Sequence, residues 1–185
     1  MDKSSVVIRE MMLRDGLQNI PEFIPTEAKI KLFQLIVASG LRNIEITSFV
    51  SPKAILQFKD ATQMAQAVLK MNPKGVEVSA LVPNLRGAQL ALESGMRKLG
   101  FFMSVSESHN ISNVRRTRAE SMDELKKILE LKAKYPDMEP KAGMPCVFGC
   151  PFEGKIKPEV TLGFLRKFYE LGIRDMSIAD TVGFG

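Results

Sequence analysis

Short apolar runs alternate with longer segments of helical periodicity along the whole chain. The short runs are rich in β-branched residues and predict six strands, near residues 6–13, 43–48, 76–82, 97–105, 142–148 and 174–179. The segments between them predict five helices, near residues 26–39, 54–70, 84–94, 121–134 and 158–171. Strands that alternate with helices are typical of a parallel sheet covered by helices.

Residues that commonly cap helices mark several of the predicted helix ends. Thr26 is suited to the N-cap of the first helix, and Gly40 is suited to its end. Ser121 is followed three residues later by Glu124, which is the pattern of a capping box. We therefore expect the fourth of these five helices to begin near residue 121.

Two architectures fit this alternation, an open doubly wound sheet and a (β/α)8 TIM barrel. The pattern yields six strands and five helices in 185 residues. A closed barrel has eight strands and typically about 250 residues. The sequence therefore predicts either an open sheet or an incomplete barrel that is part of a longer protein.

Composition narrows the class of protein without identifying it. Hydrophobic residues make up 45% and charged residues 25%, as in ordinary globular proteins. The net charge of +5 favours an anionic small molecule, because no nucleic-acid-binding motif accompanies it. No apolar run reaches the roughly 20 residues of a membrane span, and no leader pattern is present. We expect a cytoplasmic protein with no nucleic-acid or membrane partner, whose Cys146 and Cys150 are reduced thiols.

Charged side chains follow the carboxyl ends of several predicted strands. Asp15, Glu45, Glu107 and Asp180 would bring carboxylates to one edge of the sheet, beside Arg14. Crowded carboxylates repel one another unless a cation lies between them, and oxygen ligands favour Mg2+ or Mn2+. Two interpretations remain open from the residues alone, a divalent-metal enzyme and a rim of salt bridges and helix caps.

Six motifs occur in an order and spacing that resemble a known enzyme family. They are LRDGLQN at 13–19, IEITSFVSPK at 44–53, LVPNLRG at 81–87, VSESHN at 105–110, GCPFEGKI at 149–156 and ADTVGFG at 179–185. Together they resemble the 3-hydroxy-3-methylglutaryl-CoA lyases, metal-dependent TIM-barrel enzymes related to isopropylmalate and homocitrate synthases. The RDG triplet is common to that superfamily, whereas TSFVSPK and GCPFEG are more specific to the lyases.

The resemblance implies a function and a set of roles. The function is retro-Claisen cleavage of 3-hydroxy-3-methylglutaryl-CoA, or a close 3-hydroxyacyl-CoA, to acetoacetate and acetyl-CoA, with Mg2+ or Mn2+ as cofactor. Asp15 would bind the metal, Arg14 would stabilise the enolate oxygen, Glu45 would orient the metal or Arg14, and Asp180 would transfer a proton. Secondary polar contacts with the substrate would come from Gln18, Ser48, Asn84 and Ser106.

The sequence also departs from the family pattern. The resemblance implies a metal-binding His-x-His pair, a later glycine-rich loop with a catalytic cysteine and an asparagine ligand, and none has a counterpart here. Neither His109 nor Cys150 matches these positions. We therefore expect a single partial TIM-barrel domain over residues 1–185 that lacks strands seven and eight, inactive alone and compatible with homo-oligomerisation. A related acyl-CoA lyase or acyltransferase and a non-catalytic half-barrel interaction module remain alternatives.

Overall fold

The computed structural model describes residues 6–185. In chain order its elements are β1 (Arg9–Glu10), α1 (Thr26–Ala38), β2 (Asn43–Ser48), α2 (Ala61–Met71), β3 (Glu77–Leu81), α3 (Leu85–Glu93), β4 (Lys98–Phe102), α4 (Glu107–Val114), α5 (Arg118–Glu130), β5 (Glu139–Met144), β6 (Gly149–Cys150), β7 (Gly154–Lys155), α6 (Pro158–Glu170) and β8 (Asp175–Ile178). A π-helical turn follows β1 at Met12–Gly16, and 3-10 turns lie at Leu56–Phe58 and Leu131–Ala133. None of the helices within residues 6–185 has the length and apolar character to cross a membrane.

Six strands form one parallel sheet in the order β1-β2-β3-β4-β5-β8, and β6 and β7 form a separate antiparallel hairpin. The order of strands in the sheet is their order in the chain. A doubly wound sheet would reverse its order at a switch point, whereas a (β/α)8 barrel keeps a sequential order. The structure is thus an incomplete TIM barrel, which is one of the two architectures that the sequence predicted.

The alternation of side chains along β2 shows how the sheet divides core from cavity. Ile44 and Ile46 are almost completely buried in the hydrophobic core. Glu45, between them, lines the cavity described below. Because successive side chains of a strand point to opposite faces, the same strand supplies both the core and the site.

The first strand is shorter than predicted. The pattern predicted a strand over 6–13, but β1 contains only Arg9–Glu10. The backbone N–H groups of residues 14–16 all donate to the carbonyl of Met11, at 2.7–3.3 Å. The chain therefore leaves the sheet after Glu10 and forms the π-helical turn.

The predicted start of helix 121–134 is also wrong. The capping box consists of Thr117 and Glu120, so α5 begins at residue 118. The hydroxyl of Ser121 and the carboxylate of Glu124 instead accept hydrogen bonds from other elements of the fold.

Several other predicted boundaries of helices and strands also differ from the structure. The helix predicted over 54–70 begins only at Ala61, after a 3-10 turn. Thr26 is the first residue of α1 and not its N-cap, and its hydroxyl donates to Asp60 at 2.7 Å. Helix α4 and the β6–β7 hairpin were not predicted. The strand predicted over 142–148 ends at residue 144.

A network of charged side chains joins the two edge strands of the sheet. The carboxylate of Glu77 on β3 accepts from Lys98 on β4 and from Lys141 on β5. Lys141 also pairs with Asp175 on β8 at 2.9 Å, and Asp175 pairs with Arg9 on β1 at 3.5 Å. The network therefore links β1 with β8, although these strands share no backbone hydrogen bonds.

We expect this network to make stability depend on acid pH. Burial alone would raise the pKa of Glu77, but hydrogen bonds and charges of Lys98 and Lys141 outweigh it and lower the pKa from 4.5 to about 2. A carboxyl with a lowered pKa in the folded state stabilises the fold above pH 4.5, and that contribution is lost as the pH falls towards about 2. Glu77→Gln should lower the urea midpoint at neutral pH, and its difference from wild type should shrink below pH 4.5.

The matched control is Glu139→Gln, which removes a carboxylate that also pairs with Lys98 but is 61% exposed. It should change the free energy of unfolding by less than about 1 kcal/mol, because exposed ion pairs contribute little. A constant difference between Glu77→Gln and wild type across the acid range would contradict the prediction.

Candidate functional site

A cavity of about 1160 Å3 opens at the carboxyl ends of the parallel strands. Its lining includes six of the side chains predicted to form a site, which are Arg14, Asp15, Gln18, Glu45, Ser48 and Asn84. These residues come from the π-helical turn and the residues just after it, from β2 and from the loop after β3. The strand ends therefore bring together residues that lie up to 70 positions apart in the sequence.

The guanidinium of Arg14 is fixed between two carboxylates. Its Nε donates to Oε1 of Glu45 at 2.5 Å, and its Nη1 donates to Oδ1 of Asp15 at 2.6 Å. Glu45 is buried, whereas the side chain of Asp15 is 57% exposed. Nη2 of Arg14 donates to no residue within 6–185, so this amino group is available to a ligand in the cavity.

Asp15 has one oxygen that accepts hydrogen bonds and one that accepts none from residues 6–185. Gln18 donates to Oδ1 of Asp15 at 2.8 Å, and Arg14 donates to the same atom. Oδ2 accepts no hydrogen bond from the described residues. An exposed carboxylate oxygen suits a hard divalent cation such as Mg2+, which usually binds through one or two carboxylates and retains several waters.

Asp15 alone does not complete a metal site. Residues 6–185 contain no group of three or more histidine, cysteine, aspartate or glutamate side chains placed to hold a metal ion. Asp15 can therefore supply one oxygen ligand to a Mg2+ or Mn2+ ion, and the remaining ligands would come from other groups.

Ser48 and Asn84 provide polar groups on the cavity wall. Oγ of Ser48 is buried and has no hydrogen-bond partner within the described part of the chain. Asn84 is the N-cap of α3, and its Oδ1 accepts from the N–H of Gly87 at 2.8 Å. Buried polar groups without partners are uncommon in native structures, so the Ser48 hydroxyl is suited to a ligand or a water.

Asp180 lies apart from the Arg14 cluster. Its carboxylate is exposed and accepts from backbone N–H groups of the last three residues, Gly183, Phe184 and Gly185, at 2.9–3.0 Å. These hydrogen bonds, led by that of Gly185, lower the pKa of Asp180. The structure does not bring this carboxylate to the cavity lining, although its neighbour Thr181 is there.

Ser106 and Glu107 are also outside the cavity lining. Ser106 is completely buried as the N-cap of α4, where its Oγ accepts from the N–H of His109 at 3.1 Å. Glu107 pairs with Arg118 of α5 at 2.8 Å. Only two of the four carboxylates expected at one edge, Asp15 and Glu45, are therefore held together.

Sequence reasoning missed one wall of the cavity. That wall is formed by α4 and the loop after it, and it includes His109, Asn113, Arg115 and Arg116. Burial lowers the pKa of His109, which favours a neutral imidazole at neutral pH. The sequence feature that could have indicated this wall is the pair Arg115 and Arg116 after VSESHN, which adds positive charge to a site already suited to an anion.

Comparison with known proteins identifies the family of the chain. The model of the HMGL-like family matches residues 5–185. The hydroxymethylglutaryl-CoA lyase YngG of Bacillus subtilis is 40% identical over 178 residues, which are 96% of this chain and 58% of that protein. The human mitochondrial hydroxymethylglutaryl-CoA lyase is 36% identical over 97% of this chain and 54% of its own length. The chain spans about half to three fifths of the length of these relatives.

Solved structures give the same result for the fold. The Bacillus subtilis HMG-CoA lyase superposes with a TM-score of 0.90 at 40% identity, covering 98% of this chain and 60% of that one. An HMG-CoA lyase from Acinetobacter baumannii, solved with coenzyme A and 3-methylmalate, superposes with a TM-score of 0.89 at 36% identity, covering 97% and 57%. These similarities extend over the strands and loops that carry the cavity. The chain belongs to the HMGL-like family.

Proposed function

We propose that Arg14, Asp15 and Glu45 belong to the active site of a metal-assisted carbon–carbon lyase acting on an acyl-CoA. The substrate is 3-hydroxy-3-methylglutaryl-CoA or a close 3-hydroxyacyl-CoA, cleaved to acetoacetate and acetyl-CoA. The observation that carries the proposal is the Arg14 guanidinium, fixed at the cavity with one donor group unengaged. The names of the relatives support the same reaction.

The reaction needs a fixed positive charge where negative charge develops. The tertiary hydroxyl loses its proton, the carbon–carbon bond breaks, and its electron pair passes to the thioester carbonyl as an enolate, which then takes up a proton. Nη2 of Arg14 is suited to donate to the enolate oxygen. Glu45 and Asp15 hold the guanidinium in place before the reaction, which is the arrangement that makes such a charge effective.

A Mg2+ or Mn2+ ion at Asp15 would supply a Lewis acid that polarises substrate oxygens. Gln18 positions the Asp15 carboxylate through Oδ1, and Ser48 and Asn84 are proposed to contact the substrate from the cavity wall. A cavity of about 1160 Å3 is larger than the roughly 300–1,000 Å3 of most small-molecule sites, which suits a ligand of the size of an acyl-CoA.

The roles of Asp180 in proton transfer and of Ser106 in substrate binding stay predictions. Asp180 lies on the exposed loop after β8, and Ser106 is a buried helix cap. The cytoplasmic location also stays a prediction, since relatives named cytoplasmic and relatives named mitochondrial both match. A related acyl-CoA lyase or acyltransferase is the second candidate, because the RDG triplet is common to that superfamily.

The test is acetoacetate release from 3-hydroxy-3-methylglutaryl-CoA with Mg2+ or Mn2+. It uses the 185-residue chain and a lyase chimera, in which this chain is followed by the part of the Bacillus subtilis relative that lies beyond the matched segment. We expect metal-dependent turnover by the lyase chimera and none by the chain alone. Asp15→Asn should raise the metal concentration needed for half-maximal rate at least about tenfold, since even outer-shell changes cost that much.

Asp123→Asn is the control for Asp15→Asn, because the side chain of Asp123 is 65% exposed and lies on α5. It should leave the metal requirement unchanged. A folded lyase chimera that cleaves another acyl-CoA in preference would favour the second candidate. A folded lyase chimera without turnover of any acyl-CoA would favour the non-catalytic half-barrel.

A further inference from the structure

The β6–β7 hairpin lies against the first turn of α4. Oε1 of Glu153 accepts from the backbone N–H of Ser108 at 2.7 Å. The ring of Phe152 is tilted against the ring of His109, with 6.5 Å between the centroids. The hairpin therefore contacts two residues in the first turn of the helix, and the Glu153 carboxylate satisfies an N–H that the helix itself leaves without a partner.

A buried thiol makes the third contact. Sγ of Cys150 lies 2.9 Å from Oγ of Ser106, and both side chains are almost completely buried. The backbone N–H of Phe152 donates to the same sulfur at 3.3 Å. Burial would raise the pKa of Cys150, but the hydrogen bond with Ser106 and those of the hairpin N–H groups lower it below its usual value. The thiol thus links the hairpin to the cap of α4.

Helix α4 lacks an apolar anchor of its own. Its only buried residue is Asn110, whose side chain accepts from the N–H of Ser104 and donates to the carbonyl of Arg116. A helix of eight residues is not stable without tertiary contacts. The polar contacts of Asn110, of Glu107 with Arg118 on α5 and of the hairpin therefore determine where α4 lies.

The hairpin itself is not part of the cavity wall. Residues 149–155 do not line the cavity, whereas His109, Asn113 and the following Arg115 do. We infer that the β6–β7 hairpin positions α4 as a wall of the acyl-CoA cavity, with Cys150 and Glu153 as positioning residues. The ligand in this inference rests on the proposed function, whereas the contact between hairpin and helix does not.

The test combines amide hydrogen exchange with binding of coenzyme A, both on the 185-residue chain. Cys150→Val should make the amides of α4 exchange about fivefold faster, as expected for the loss of one buried hydrogen bond, and leave those of α1 unchanged. The affinity for coenzyme A, measured by calorimetry, should fall about threefold or more. Cys150→Ser keeps a hydroxyl in place of the thiol. Its exchange rates in α4 and its affinity for coenzyme A should therefore equal those of the wild-type chain.

A second variant avoids the core. Glu153→Ala removes an exposed carboxylate that contacts α4, and Glu159→Ala removes an exposed carboxylate in the first turn of α6. Of these two variants, Glu153→Ala should accelerate exchange at Ser108 and weaken coenzyme A binding, whereas Glu159→Ala should change neither.

Unchanged exchange in α4 for both Cys150→Val and Glu153→Ala would overturn the inference, as would failure of Cys150→Ser to restore it. If the wild-type chain binds no coenzyme A, the proposed ligand fails, and the exchange data still decide whether the hairpin positions α4.

Discussion

Replacement of Arg14 by lysine is expected to lower the kcat of the lyase chimera about a thousandfold, with a smaller effect on KM. Removal of one donor that stabilises a developing oxyanion typically costs about 100- to 1000-fold in kcat. The Arg14 side chain uses Nε for Glu45 and Nη1 for Asp15, which leaves Nη2 for the enolate. A lysine ammonium is a single point charge and cannot reproduce this planar arrangement of three groups.

Arg42→Lys is the matched control for Arg14→Lys. Arg42 donates to the backbone carbonyls of Val37 and Leu41 just before β2 and does not line the cavity, so it should be replaceable without loss of kcat. Steady-state kinetics on both variants provide the measurement. A decrease in kcat of less than about tenfold for Arg14→Lys would contradict a role for this guanidinium in stabilising the enolate.

Replacement of Lys29 by methionine is expected to destabilise the fold by about 3–5 kcal/mol, because it leaves a buried carboxylate without its cation. Nζ of Lys29 donates to Oδ1 of Asp60 at 2.8 Å, and the two side chains are only 4% and 7% exposed. The same ammonium group donates to the carbonyl of Gln57. Urea unfolding of the 185-residue chain, followed by circular dichroism, measures the loss.

Two further variants separate the buried charge from the loss of a lysine. Lys126→Met removes a cation that pairs with Asp123 on the surface, where the side chains are 52% and 65% exposed, and should cost less than about 1 kcal/mol. The double variant Lys29→Met with Asp60→Leu should regain part of the stability lost in the single variant, since no charge then remains buried. A loss below about 1 kcal/mol for Lys29→Met would show that the pair contributes no more than a surface pair does.

The order of strands and helices could be predicted because most elements carry a regular apolar pattern. Ile44 and Ile46 alternate with polar residues along β2, and this pattern is sufficient to identify a strand with one face in the core. Helix α4 could not be predicted in this way, because Asn110 is its only buried residue and it has no apolar face. Polar side-chain contacts hold it, and hydrophobic periodicity does not detect such contacts.

Site residues could be predicted where a recognised motif lies on or just after a predicted strand. Arg14 and Asp15 follow the first strand and Glu45 lies on the second, and in the structure Arg14 contacts both carboxylates. His109 and Arg115 belong to the unpredicted helix and the residue after it, so hydrophobic periodicity did not place them on the cavity wall. Ser106 occurs in a recognisable motif, but its hydroxyl is engaged inside the protein by Cys150 and by the N–H of His109.

The π-helical turn at Met12–Gly16 limits insertions and deletions in this part of the chain. Each residue of a helical turn rotates the next side chain about the axis of the turn. Deletion of one residue between Glu10 and Arg14 would therefore turn the guanidinium away from Glu45, although every residue of the RDG triplet would be retained. Substitution of Met12, whose side chain is 46% exposed, would leave that rotation unchanged. Among proteins that keep this site, the number of residues in the turn should vary less than the identity of its exposed side chains.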